Sequence, residues 1–293
     1  MNRSLRLTLL AVVAAVSFGS AGCAYLESKE RELVFRPVRD YARTPADLGL
    51  AHEELWLAVP RVDGTGEERV HGWWLPAARP AAPTLLYLHG VRWSLGNNLF
   101  RIARWRELGF NVLAIDYRGF GRSDGELPSE AQIQADARAA WVEVRRREPR
   151  EDRRFIYGHS LGAAVALELA AGERGAAGVI AEAGFTSLPD VVAERSLPVG
   201  ALLTQRFDAL DRARALTIPS LYIHGTADSV VPSAMSERLY AAAPTPKRLL
   251  LIDGGSHSNF SGTGLTEVRR AVAEFVDLAQ LAAQGRGAPV TMR

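Results

Sequence analysis

Short apolar segments bounded by turn residues recur through the middle of the chain. Near-continuous hydrophobic runs of this length are typical of parallel strands, because helices bury both faces of such a sheet. Six segments have the pattern: Thr84–His89, Asn111–Asp116, Arg154–Tyr157, Gly178–Glu182, Ser220–His224 and Arg248–Ile252. Stretches with helical character lie between or after them, at Leu99–Leu108, Ser129–Arg147, Leu161–Ala171, Pro232–Ala242 and Leu265–Gln284. The alternation predicts an α/β fold with one doubly wound, mostly parallel sheet.

The flanks of this pattern complete the predicted domain, residues 48–284. Two short strand-like segments, Glu54–Val59 and Arg69–Leu75, surround a Gly-rich turn and predict an N-terminal antiparallel hairpin. Residues 184–219 contain prolines that break any long helix, so we expect a small cap of short helices there. Residues 285–293 have no periodic pattern and are interpreted as a frayed tail.

Composition narrows the functional classes. The chain has 293 residues, 47% hydrophobic and 23% charged, with a formal net charge of +2, which is the profile of an ordinary folded protein. Arginines and acids alternate along the sequence, so we expect a mixed solvated surface and no nucleic-acid partner. The single cysteine excludes an internal disulfide and a cysteine zinc cage.

The N-terminus has the organisation of an export signal. Arg3 and Arg6 precede the apolar run 7–18, and small residues lead to Cys23, which resembles the lipid-attachment cysteine of a bacterial lipobox. Ser20 departs from the aliphatic residue usual in that motif. We therefore expect residues 1–23 to be a signal peptide and the protein to lie in the bacterial cell envelope, lipid-anchored to a membrane through Cys23. A soluble periplasmic or secreted form, an uncleaved anchor and a buried free cysteine are the alternatives, and residues 24–47 are expected to form a tether.

A nucleophile is predicted where the strand ending at Tyr157 meets the next helix. Residues 158–162 have the pattern G-x-S-x-G, which in this position forces Ser160 into a strained turn and exposes its hydroxyl at a helix N-terminus. The helix dipole and free backbone N–H groups favour negative charge there. The alternative interpretation is a Gly-rich turn with a capping serine.

A serine hydroxyl needs a base, and His257 is the candidate that follows the last strand, on a Gly-rich loop before the final helix. The other histidines lie at less suitable places. His89 is expected to shape its loop and His159 to point away from the pocket; His52, His71 and His224 lie in the N-terminal segments or end another strand.

The base needs an acid to orient it, and Asp228 follows the penultimate predicted strand. It completes the chain order Ser, Asp, His found in one class of such triads. Rival acids remain open at this stage: Glu182, Asp253, Asp116 and Asp124. The oxyanion formed on attack would require two N–H donors, for which the backbones of Leu161 and Val91 are the candidates.

With this combination of residues, the chain resembles the α/β-hydrolase superfamily over residues 48–284. Residues 116–123 are similar to the D-x-R-G-x-G-x-S loop of that superfamily, and residues 182–187 to the segment that enters its cap. Residues 33–37 and 71–76 resemble the branch of serine aminopeptidase-like hydrolases that lacks a large lid. The branch includes bacterial esterases and protein-depalmitoylating thioesterases. Val91 and Arg92 depart from the small or amide residues common after His-Gly in that branch.

The resemblance implies hydrolysis of carboxylic esters or thioesters with small to medium acyl groups. Ser160 would be the nucleophile, His257 the general base and acid, and Asp228 its orienting partner. No metal or organic cofactor is required, since the chain supplies every group. Candidate pocket residues are Trp93, Leu95, Tyr117 and Phe185, with packing in the core or the cap as the alternative for each. An aminopeptidase with an acidic cap subsite, from Asp190, Glu194 or Asp208, and a non-catalytic envelope binding module are the alternatives; the oligomeric state is left open.

Overall fold

A computed structural model describes residue 22 and residues 24–195, 200–258 and 264–287 of the chain. Nearly all of the predicted signal peptide lies outside these residues, and so do Cys23 and the end of the predicted tail. The signal and the lipid anchor therefore stay predictions. Within the described part of the chain, no helix combines the length and the hydropathy needed to cross a membrane.

One sheet of eight strands organises the described residues. Its spatial order is β1-β2-β4-β3-β5-β6-β7-β8, with β1–β2 and β2–β4 antiparallel and all other neighbours parallel. The strands are β1 (Glu53–Pro60), β2 (Glu67–Leu75), β3 (Thr84–Leu88), β4 (Asn111–Ile115), β5 (Arg154–His159), β6 (Gly178–Glu182), β7 (Ser220–Gly225) and β8 (Lys247–Ile252). This arrangement confirms the predicted fold class, including the N-terminal antiparallel hairpin.

Helices cover both faces of the sheet. They are α1 (24–35), α2 (Leu95–Glu107), α3 (Glu130–Arg147), α4 (Leu161–Gly172), α5 (Leu188–Ala193), α6 (Ala209–Arg214), α7 (Ser233–Ala242) and α8 (Leu265–Gly287). In β3, Leu86 and Leu88 join the core under α3 and α4, whereas Leu85 and Tyr87 join the core under α2 and α8. Because successive side chains alternate between faces, a strand buried on both sides is apolar throughout.

Helix α2 begins four residues before the predicted start. Ser94 is its N-cap, and the side chains of Ser94 and Asn97 form a capping box with the backbone. Apolar periodicity alone misses this first turn, because the cap residues are polar.

The segment expected as a tether packs on the domain instead. Residues 24–35 are helical and end at Phe35, which is fully buried. The carboxylate of Glu30 accepts hydrogen bonds from the backbone N–H groups of Thr204 and Gln205 in the cap. The backbone of Arg92 pairs with Phe35 and Val38, so this segment also supports the loop after β3. Because charged residues dominate the local sequence, the pattern gives no sign that Phe35 is buried.

The cap is small, as expected. Its described part holds α5, a short 3-10 turn at Gly200–Leu202 and α6. The carboxylate of Glu130, at the start of α3, accepts hydrogen bonds from the N–H groups of Arg206 and Phe207, at 2.7 and 3.0 Å. These two hydrogen bonds attach the cap to the start of α3 in the sheet domain.

Candidate active site

The strand-to-helix turn after β5 places Ser160 at the N-terminus of α4. Its backbone has φ 56° and ψ −119°, a conformation that residues other than glycine rarely adopt. Gly158 and Gly162 make the turn possible, because a methyl group on Gly158 would overlap the carbonyl oxygen of Gly162. A methyl group on Gly162 would in turn overlap that of Leu88. The predicted strained turn is therefore present, and its glycines are sterically required.

Ser160, His257 and Asp228 meet at the carboxyl ends of β5, β7 and β8. The Nε2 atom of His257 lies 3.0 Å from Oγ of Ser160, and its Nδ1 atom lies 2.7 Å from Oδ2 of Asp228. These residues are separated by 97 and 29 positions in the chain. An imidazole in this position can accept the serine proton on one nitrogen while the carboxylate orients the other.

The side chain of Asp228 is fully buried. Burial alone would raise the pKa of Asp228, but hydrogen bonds from His224 and His257 and from the backbone N–H of Val231 lower it below its usual range. The N–H groups of Val230 and Val231 donate to Oδ1, at 2.8 and 2.9 Å. Asp228 is therefore ionised at neutral pH, with both oxygens already positioned by donors.

His257 sits on a loop that is braced from two sides. The carbonyl oxygen of Gly255 accepts from the N–H of Ala227 at 2.9 Å, which joins the loop to the turn that carries Asp228. The Nε2 atom of His159 lies 2.8 Å from the carbonyl oxygen of His257. Since a carbonyl only accepts, His159 donates through Nε2. The expectation that His159 points away from the pocket is wrong: its ring lies 5.0 Å from the His257 ring and lines the same cavity.

His159 is suited to this supporting contact because it stays neutral. Burial and then the charge of Arg101 lower the pKa of His159 well below its ordinary value. The local sequence gives no sign of the contact, because its partner lies 98 positions away.

We expect His159→Phe to lower kcat about five- to tenfold, because one buried hydrogen bond contributes about 1 kcal/mol to holding His257. KM should change little, since the substrate does not depend on this bond. His159→Gln, whose amide can donate, should recover much of the loss. Steady-state kinetics of both variants test this; an unchanged kcat with a lowered melting temperature would mean that His159 only supports the fold.

The rival residues are engaged elsewhere. The carboxylate of Glu182 pairs with Arg101 and accepts a 2.6 Å hydrogen bond from the hydroxyl of Tyr157. Asp116 accepts from the hydroxyl of Tyr41, and burial raises the pKa of Asp116 to about 7. Asp124 pairs with Arg69, and Asp253 is exposed and contacts Thr226. Among the rival histidines, burial lowers the pKa of His89 and of His71 to about 4.

The backbones of Val91 and Leu161 lie next to Ser160. Val91 follows Gly90, whose backbone lies against Ser160, since a methyl group on Gly90 would be 3.2 Å from Cβ of Ser160. Leu161 is the first residue of α4. Within the described part of the chain, neither N–H is engaged by another group. Both are thus available to a developing oxyanion.

A cavity of about 440 Å³ opens beside Ser160 and His257. Its other described lining residues are Gly90, Val91, Arg92, Trp93, Asn98, His159, Arg195, Val230 and Ser258. Trp93 lines it as expected, whereas Leu95, Tyr117 and Phe185 lie in the core, at 0, 0 and 3% exposure. For these three residues the alternative, packing in the core, is the one observed. Arg195 was not anticipated, because nothing in the cap sequence indicates which residue reaches the cavity.

A strained strand-to-helix turn, a parallel sheet and an ordered serine, aspartate and histidine at its carboxyl edge together define an α/β-hydrolase. Comparison with known families agrees: residues 79–207 and 199–262 match the hydrolase family described as serine aminopeptidase, S33. The chain belongs to this family, which confirms the resemblance noted in the sequence.

Several relatives and solved structures are similar to the chain. An uncharacterized protein of Mycobacterium tuberculosis is 32% identical, with 88% of this chain and 90% of that protein covered. The α/β-hydrolase domain-containing protein 17B of Xenopus laevis is 34% identical, with 67% and 68% covered. The structure of the esterase Pf2001 of Pyrococcus furiosus has a TM-score of 0.67 at 21% identity, covering 84% of this chain and 99% of that one. Likeness at this last level of identity establishes the fold alone.

Proposed function

We propose that this hydrolase cleaves carboxylic esters or thioesters of small to medium acyl groups through a covalent acyl-enzyme. The observation that carries the proposal is the continuous chain of hydrogen bonds from Ser160 through His257 to Asp228, at 3.0 and 2.7 Å. Such an array makes a serine hydroxyl nucleophilic at neutral pH.

In the proposed reaction, Oγ of Ser160 bonds to the acyl carbon while Nε2 of His257 takes the hydroxyl proton. The carbonyl oxygen becomes negative, and the N–H groups of Leu161 and Val91 stabilise it. His257 then gives its proton to the leaving group as the ester or thioester bond breaks. The proton goes to the oxygen of a departing alcohol or to the sulfur of a departing thiol. Water then bonds to the acyl carbon while Nε2 of His257 takes its proton. His257 returns this proton to Oγ of Ser160 as the acyl–Oγ bond breaks and the acid leaves.

The charges around the cavity favour esters over aminopeptidase substrates. An aminopeptidase must hold an ammonium group, yet the described lining contains Arg92 and Arg195 and no carboxylate beyond the buried triad. Two of the three candidate cap acids are engaged elsewhere: Asp190 contacts Arg238 and Thr186, and Asp208 pairs with Arg206. The third, Glu194, is exposed and is not among the described lining residues. A cavity of about 440 Å³ suits a small or medium acyl group.

The assay that tests the bond type uses the full chain in mild detergent. We expect turnover of para-nitrophenyl esters, strongest for short and medium acyl chains, and of a butyryl thioester. Aminoacyl para-nitroanilides should remain uncleaved, because the described lining of the cavity offers no acidic group to hold their amine. Preference for the anilides would support the aminopeptidase alternative. No turnover of any substrate, together with no fluorophosphonate labelling, would support a binding module.

For the location of the protein, we propose export to the cell envelope with a lipid anchor on Cys23, supported by the sequence of residues 1–23. Mass spectrometry of the mature N-terminus would distinguish an acylated Cys23 from an unmodified or uncleaved chain.

A further inference from the structure

Two arginines border the cavity beside Ser160. Arg92 lies on the loop after β3, and Arg195 lies in the cap, just after α5. Both side chains are exposed. Among the described residues, neither guanidinium makes an ion pair or a hydrogen bond, whereas other described arginines, such as Arg101, Arg118 and Arg147, do. Two cations that have no partner among the described residues, at one cavity mouth, are a place where an anion is favoured.

The surroundings of these two arginines also favour the binding of an anion. Among the described lining residues, no aspartate or glutamate competes for the two guanidinium groups. The other exposed lining side chains are apolar: Trp93 and Val230 are 46 and 44% exposed. Beside an apolar surface, a bound anion is less well screened by water, so each charge contact gains strength.

The backbone conformation of Arg92 also supports a role for this residue. It adopts φ 72°, where glycine would be less strained. Two backbone hydrogen bonds, from its N–H to Phe35 and from Val38 to its carbonyl, each 2.9 Å long, fix that conformation. The loop therefore fixes the backbone of Arg92 beside the cavity, at a conformational cost that a glycine would avoid.

We propose that the substrate is an acyl ester or thioester that carries an anionic group, a carboxylate or a phosphate, which Arg92 and Arg195 bind at the cavity mouth. This deepens the proposed function and rests on it, because the anion is recognised while its ester bond lies at Ser160. Arginine is suited to the task, since its planar fork can donate two hydrogen bonds to either anion.

The experiment compares three esters with the full chain in neutral detergent: neutral para-nitrophenyl butyrate, the mono-para-nitrophenyl ester of glutaric acid, and an ortho-nitrophenyl butyrate with a carboxylate on its ring. The second carries its anion on the acyl part and the third on the leaving group. Each kcat/KM is divided by the rate of hydroxide hydrolysis of the same ester, to remove differences in intrinsic reactivity.

We expect one or both anionic esters to be preferred over the neutral ester. Arg92→Gln and Arg195→Gln should each lower kcat/KM for that ester about tenfold, chiefly through KM, and the double variant about 100-fold. The loss of kcat/KM with the neutral butyrate should be clearly smaller, because that ester carries no anion for the two guanidinium groups to bind. The preference should also shrink at an ionic strength of about 1 M, where the Debye length is about 3 Å.

Arg138→Gln with Arg145→Gln is the matched control, since both lie exposed on α3 and remove the same charge away from the cavity. It should leave the preference intact. Equal normalised rates for all three esters, or equal losses in the control, would overturn the anionic-substrate proposal while the ester hydrolase stands. Absence of turnover with the neutral ester would instead count against the proposed function.

Discussion

Ester hydrolysis by the Ser160→Ala variant is expected to fall by about 10⁴- to 10⁶-fold in kcat, the range that removal of a serine nucleophile produces in such triads. The reason is chemical, since without Oγ there is no atom to form the acyl-enzyme. Residual turnover would come from the free N–H groups of Leu161 and Val91 and from binding alone. Initial rates with para-nitrophenyl butyrate measure the loss, and labelling with a fluorophosphonate should disappear in the same variant.

The change is well suited to isolate chemistry from folding. Alanine keeps the β-carbon that the strained turn at φ 56° already accommodates, so the melting temperature should change little. Ser258→Ala is the matched control, because Ser258 lines the same cavity but makes no hydrogen bond with the His257 ring. The control should retain labelling and turnover within a few-fold. Labelling that persists in Ser160→Ala would place the reactive serine elsewhere.

The part of the site that lies close in the chain could be predicted from the sequence. G-x-S-x-G between a strand and a helix fixes a backbone turn, so Ser160 and Leu161 follow from local sterics. Asp228 and His257 could be placed because parallel strands bring their carboxyl ends to one edge. In the sheet, β3 and β5 to β7 were predictable for a different reason. Burial on both faces of the sheet leaves a continuous apolar run in each strand.

Contacts between distant segments could not be predicted in this way. The hydrogen bond from His159 to the carbonyl of His257, the burial of Phe35 and the approach of Arg195 to the cavity each depend on how loops pack in three dimensions. Exposed and buried side chains after a strand end also look alike in sequence. That is why Tyr117 and Phe185 were candidates for the pocket, although packing places them in the core.

Asp228→Asn is expected to lower kcat about 10⁴-fold, about 5.5 kcal/mol of transition-state stabilisation, with an intact fold. In the wild type, Oδ2 accepts from both His257 and His224, at 2.7 and 3.0 Å, while Oδ1 accepts from Val230 and Val231. Asparagine has a single oxygen, and the two backbone donors at Oδ1 fix its orientation. Its amide nitrogen then faces His257.

An amide N–H opposite Nδ1 reverses the hydrogen bond, so His257 must accept there and carry its proton on Nε2. The nitrogen that faces Ser160 is then a donor and cannot take the serine proton. Asp253→Asn is the matched control, because Asp253 is an exposed acid four residues before His257, and it should leave kcat unchanged. If Asp228→Asn kept wild-type kcat while Glu182→Gln lost it, the orienting acid would be Glu182 and the geometry around Nδ1 would need another explanation.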